Sequence, residues 1–136
     1  MAATLLLKTE PSKYSFDDLL RDGRAVWDGV ANAQALIVLR SAKVGDEALI
    51  YHSNEGKAIV GIAKVAKAAY PDPKLGDPKM VVIDLVPVKA LAEPVTLAQI
   101  KAESGLADLA LVRQSRLSCM NVSVGHRRLL RELGVR

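Results

Sequence analysis

Three strand-like runs dominate the middle of the chain: EALIYHS (Glu47–Ser53), AIVGIAKVAKAAY (Ala58–Tyr70) and KMVVIDLVPVKAL (Lys79–Leu91). Only NEGK and PDPKLGDP separate them. NEGK reads as a hairpin turn with Gly56 at the permissive position, so the second run returns beside the first. Gly61 within the second run marks a bulge or a close backbone approach. PDPKLGDP is dense in proline, glycine and aspartate and reads as a loop. A chain with this centre is committed to a sheet, and its helices must be fitted around that sheet.

The flanking segments supply those helices singly. Thr4–Lys8 is a short apolar strand, closed by KTEPS where Pro11 stops the ladder. Ser15 and Asp18 are spaced as a capping box for SFDDLLRDG, which Gly23 ends. Trp27-Asp28-Gly29 reads as a turn, and Asn32–Arg40 as a helix with Asn32 near its N-cap. Lys43–Asp46 is a second turn. Thr96 and Gln99 form a capping box for LAQIKAES, which should stop at Gly105. LADLALVRQSRLSCMNVS passes from a short helix through a loop into a last strand. Ser123 caps a final helix, VGHRRLLREL, with Gly134 beyond its end. The 136 residues are the length of one domain, 1–136. The predicted class is α+β, a small curled sheet or barrel with peripheral helices.

Composition narrows the location and the partner. The first residues, MAATLLLKTEPS, lack a basic leader, and no apolar stretch approaches the ~20 residues of a membrane helix. One cysteine, Cys119, cannot form an internal disulfide and fits a reducing compartment. The expectation is a soluble cytoplasmic monomer with no membrane partner. Net charge is +4, and residues 111–136 hold six arginines against one acid, Glu132. A basic cluster of this kind is a footprint for a polyanion, or simply a solvated helix face.

Catalytic signatures are sparse. His52 and His126 are the only histidines and stand in no metal-ligand spacing, so neither a metal nor another cofactor is expected. No phosphate-binding glycine loop or nucleophile elbow occurs. Cys119 sits in an apolar strand pattern that suits an inert buried thiol. His52 and Ser53 are adjacent, and adjacent strand side chains point to opposite faces. A binding function is left. Lys8, Glu10, Ser12, Asn32, Gln34, His52 and Ser53 gather at strand ends and turns. VRQSRLS adds Arg113, Gln114, Ser115, Arg116 and Ser118 just before an apolar strand. Such groups can grip a flat polar ligand by its edges while an aromatic covers its face. Each also has a plain role as a cap, a turn residue or a sheet-edge partner. Aromatics are scarce (Tyr14, Phe16, Trp27, Tyr51, Tyr70), so the one tryptophan, Trp27 on its Asp-Gly turn, is the natural platform.

LLKTEPSKYSFDDL, VWDGVANAQA, KVGDEALIYHSNEGKAIVGIAKV, AYPDP, PVTLAQIKA, LADLALVRQSRLS and NVS follow one another in the order and spacing of the EVE domain. The chain resembles that family, part of the PUA-like superfamily with YTH and ASCH domains, from about Leu5 to Leu133. The resemblance implies a strongly curved β-barrel ringed by helices. It implies recognition of modified nucleobases, chiefly modified cytosine in DNA and secondarily modified RNA, with the base flipped into a pocket. Trp27 would stack there beside Val30; Asn32, Gln34, His52, Ser53 and groups near Lys8–Ser12 would read edges; Arg113, Ser115, Arg116 and Ser118 would hold phosphate or close the pocket. Two other readings are a nucleotide- or nucleic-acid-processing enzyme with His52 as base, and a protein–protein module using residues 35–39. Departures from the family pattern stand at Ala31, Ala33, Leu36, Ile37 and Val38, where arginine, tyrosine and asparagine are usual. Thr4 and Leu5 replace an aromatic pair, Asn121 a proline and Arg127 a tryptophan. The lost arginines would weaken binding to a polyanion unless the C-terminal arginines compensate.

Overall fold

The computed structural model describes residues 2–136. Its strands are β1 (Thr4–Thr9), β2 (Ala25–Trp27), β3 (Glu47–His52), β4 (Ala58–Pro71), β5 (Val81–Thr96) and β6 (Cys119–Val122). They join in one mixed sheet of order β2-β5-β4-β3-β1-β6. β1 is parallel to β3 and antiparallel to β6, and the other pairs are antiparallel. Five helices surround the sheet: α1 (Phe16–Asp22), α2 (Ala33–Ser41), α3 (Leu97–Ala102), α4 (Ala110–Arg113) and α5 (Val124–Leu133). The architecture is α+β.

β1 sits inside the sheet and is apolar on both faces, with Leu5, Leu6 and Leu7 all buried. Its register fixes two ends of the molecule. Thr4 lies opposite Glu47 and Val122, and Lys8 opposite Tyr51, with the Lys8 N–H donating to the Ser118 carbonyl at 2.9 Å. α5 follows β6 and so starts at the Thr4 end.

The local signals for helix ends act as predicted. Asp18 N–H donates to Ser15 Oγ at 3.0 Å, and Ser15 N–H donates to Asp18 Oδ2 at 2.9 Å. Thr96 and Gln99 close the same box before α3. Asn32 Oδ1 accepts from Ala35 N–H at 3.1 Å and starts α2. Gly61 is both things the sequence allows. The β4–β5 register shifts between Ile59 and Gly61, and a Cβ added to Gly61 would stand 2.4 Å from the Phe16 ring. That close approach seats α1 on the sheet.

Three boundaries differ from the sequence reading. Trp27 is not a turn residue: it ends β2, paired with Ile83 of β5, and the turn begins at Asp28. A three-residue strand has no periodicity of its own, so only its partner reveals it. β5 runs on to Thr96 rather than stopping near Leu91, because its far half still pairs with β4 through Val95 and Thr96. α3 ends at Ala102, and a 3₁₀ turn over Ser104–Leu106 carries the chain past Gly105.

The apolar character of α2 is also explained. Ala35, Leu36, Val38 and Leu39 are buried where α2 packs on β4, β5 and β6. Ile37 alone of this run points outward, 64% exposed. Of residues 35–39, Ile37 is thus the one apolar side chain left at the surface.

Candidate nucleic-acid interface

At the Lys8 end of β1 the loops after β1, β2 and β4 surround a cavity of about 580 Å³. This lies within the usual range for small-molecule sites, about 300–1,000 Å³. Ala25, Val26, Trp27 and Val30 form its apolar part, and Lys8, Thr9, Tyr14, Arg24, Asp28 and Ser118 are among its polar lining. Trp27 packs edge-to-face on Tyr14, ring centroids 6.3 Å apart at 79°. Trp27 is only 7% exposed, so it is the wall of the cavity rather than a free platform. This explains a lone tryptophan beside a turn. β2 anchors its indole in the sheet, and the turn that follows, with Gly29 at φ 79°, bends the chain around the opening.

The polar groups of the cavity are held in place. Tyr14 Oη donates to Asp22 Oδ2 at 2.9 Å, and burial together with the Asp22 carboxylate pushes its pKa up to about 12. Thr9 Oγ1 donates to the Tyr14 carbonyl at 2.6 Å. Arg24 donates to Asp84 Oδ2 through Nη2 at 2.8 Å and Nε at 3.2 Å. Tyr70 donates to Asp84 Oδ1 at 2.5 Å. Burial alone would raise the Asp84 pKa, but these donors hold it below the usual carboxylate range. The Lys8 ammonium donates to the Ser115 carbonyl at 2.8 Å and lies 5.9 Å from the Tyr51 ring centroid; burial lowers its pKa.

A second, shallower depression of about 310 Å³ is lined by Asn32, Gln34, Arg113, Gln114, Ser115, Arg116 and Leu117. The candidate residues thus divide. Lys8, Trp27, Val30 and Ser118 line the first cavity, and Asn32, Gln34, Arg113, Ser115 and Arg116 line the second. Glu10, Ser12, His52 and Ser53 line neither. Glu10 faces Lys13 at 3.5 Å, Ser12 is exposed on the turn after β1, and Ser53 N–H donates to the Thr9 carbonyl. His52 Nε2 accepts from Phe16 N–H at 3.0 Å, which caps the start of α1 and occupies the ring lone pair. Burial holds its pKa below the usual value. Cys119 is buried, and its thiol is pushed up to about 12 by desolvation.

Sequence reasoning missed Tyr14, Arg24 and Lys74 in the first cavity. Tyr14 had a signal, as one of the five aromatics in the chain and the one within KTEPSKYS. Arg24 and Lys74 had none, since long-range pairing brings them in. The arginines from Arg127 onward line neither depression. Arg127 instead forms a fork with Glu47, Nε to Oε1 at 2.6 Å and Nη2 to Oε2 at 3.2 Å, and donates through Nη1 to the Val135 carbonyl at 2.7 Å. Arg128 and Arg131 are exposed on α5.

Among the described residues, no cluster of three or more His, Cys, Asp or Glu side chains could hold a metal ion. No described helix is long and apolar enough to cross a membrane.

Comparison with known proteins agrees with this architecture. The EVE domain family matches residues 3–133. Thymocyte nuclear protein 1 of Mus musculus is 35% identical over 122 residues, covering 71% of this chain and 54% of that protein. The chain therefore spans about half the length of that relative. The solution structure of Rpa0253 from Rhodopseudomonas palustris superposes with a TM-score of 0.92 at 44% identity, covering 98% of this chain and 93% of that one. Human THYN1 in complex with 5-methylcytosine-containing DNA superposes with a TM-score of 0.89 at 29% identity over 97% of both chains. The chain belongs to the EVE domain family.

Proposed function

We propose that this chain is a non-catalytic reader of a modified base, with modified cytosine in DNA as its preferred ligand and modified RNA as the second choice. The observation that carries this reading is the cavity of about 580 Å³ walled by the only tryptophan and rimmed by Lys8, Thr9 and Ser118. A flipped base would lie against Trp27 and Val30 with Tyr14 at its side. Ser118 and backbone groups around Lys8 would read its edge. The relative crystallised with 5-methylcytosine-containing DNA supports the ligand class. The six-stranded mixed sheet would supply the curved barrel of PUA-like domains. The cavity itself would serve a single copy, so a monomer suffices.

Two features argue against chemistry here. His52, the one candidate base, is bonded through Nε2 to Phe16 N–H and lies outside the cavity. Cys119 is buried and protonated. The protein–protein alternative is disfavoured because Ala35, Leu36, Val38 and Leu39 are buried and only Ile37 of that run is exposed.

A direct test is a binding series with short oligonucleotides carrying 5-methylcytosine, 5-hydroxymethylcytosine or cytosine. Tighter binding of a modified oligonucleotide, weakened several-fold by Ser118→Ala, is the expected result. Equal affinity for all three would defeat the proposal.

A further inference from the structure

The division of the polar residues between two depressions bears on what the protein binds, provided the base-reading function holds. The second depression is lined by two arginines and three amides, and it contains no carboxylate. Among the described residues, the Arg113 and Arg116 side chains form no ion pair and no hydrogen bond, whereas Arg21, Arg24 and Arg127 are each held by an acid. Asp108 senses the Arg113 charge but bonds to His126 at 2.8 Å. Gln34 and Gln114 are exposed and likewise unengaged through their side chains.

The two depressions are contiguous. Lys8 lines the first and its ammonium bonds the Ser115 carbonyl of the second. Leu117 and Ser118 are neighbours in the chain on opposite sides of this divide, as are Val30 and Asn32 two residues apart. Two residues of chain span at most about 7 Å. A ligand held in the first cavity and continuing as a polymer therefore meets the second within one step. Unpaired guanidiniums suit a phosphodiester, and carboxamides suit a base edge.

We infer that the second depression is a subsite for the nucleotide adjoining the modified base, with Arg113 and Arg116 on the phosphodiester and Gln34 and Gln114 on the neighbouring base. The recognised unit is thus at least a dinucleotide, and affinity depends on sequence context.

The test compares the wild type with an Arg113→Ala/Arg116→Ala double variant; both residues are exposed, so folding is preserved. The ligands are single-stranded oligonucleotides with 5-methylcytosine or cytosine at one position, followed by Trp27 emission between about 50 and 200 mM salt. The double variant should bind the modified oligonucleotide about tenfold more weakly at low salt. Its log K against log salt slope should shrink by about 0.7 for each phosphate that is no longer neutralised. The ratio of modified to unmodified affinity should persist, because the first cavity is intact. Gln34→Ala/Gln114→Ala should flatten the dependence on the neighbouring base. If affinity and slope match the wild type while the modification preference persists, the subsite is refuted and the reader function stands. If the wild type shows no modification preference, the reader function fails and the subsite falls with it.

Discussion

At the Thr4 end of the sheet, Arg127 of α5 is forked onto Glu47 and bonded to the Val135 carbonyl, so its charge fastens the last helix to β3. At the Lys8 end, Arg113 and Arg116 border a polar depression with no acid in its lining. All three belong to the same run of six C-terminal arginines against Glu132. The contrast teaches that a basic segment is not one surface. β6 divides it, leaving one part as structure and the other beside the cavity. Arg127 is bonded to Glu47 and the Val135 carbonyl and lines neither depression.

Perturbing the scaffold shared by both ends should have the largest effect. Gly61→Ala puts a Cβ 2.4 Å from the buried Phe16 ring, so the ring or α1 must shift. The expected loss is about 3 kcal/mol by urea unfolding. A loss near zero would mean that α1 does not rest on Gly61. Arg127→Ala comes next. Removing it leaves Glu47 partly buried with only the Thr4 hydroxyl, and stability should fall by about 2 kcal/mol while oligonucleotide affinity stays unchanged. Weakened binding in this variant would erase the distinction between the two ends.

A pH effect follows from His52. Its folded pKa is depressed, chiefly by burial, so the neutral ring is the native form. Its contribution to stability is present above about pH 6.5, the unfolded value. It is lost as pH falls below that and through the folded pKa. Unfolding midpoints between about pH 7 and 5 should decline less steeply in His52→Asn than in the wild type. Parallel declines would show that Phe16 N–H does not depend on this ring. The smallest effect is expected for Arg128→Ala/Arg131→Ala. Both residues are exposed on α5, so stability should change by less than about 0.5 kcal/mol. The salt dependence of oligonucleotide binding should not change, and a reduced slope would place α5 on the nucleic acid after all.

The parts of the fold legible in the sequence are those written within a few residues. Both capping boxes, the Asn32 cap and the Gly23 stop are local and stand where their signals lie, and the strand runs are found with the end of β5 shifted. Parts that depend on partners far along the chain are hidden. Ala25–Trp27 is a strand only because β5 passes beside it, and Arg127 meets Glu47 across 80 residues. The candidate site shows the same division. Trp27, Lys8 and Ser118 carry local hints, whereas Arg24 and Lys74 arrive by tertiary folding. His52 stands out in the sequence as the one histidine near the candidate residues; its actual partner is a backbone N–H on α1. The separation of one polar set into two depressions is likewise a matter of where Lys8 crosses to Ser115.

The most direct measurement follows the indole N–H resonance of Trp27, a single reporter because the chain has one tryptophan. A 5-methylcytosine oligonucleotide should shift this resonance saturably and further than its cytosine counterpart, while backbone amides of α5 stay in place. Equal shifts with both oligonucleotides, or shifts confined to α5, would contradict a base-reading cavity at Trp27.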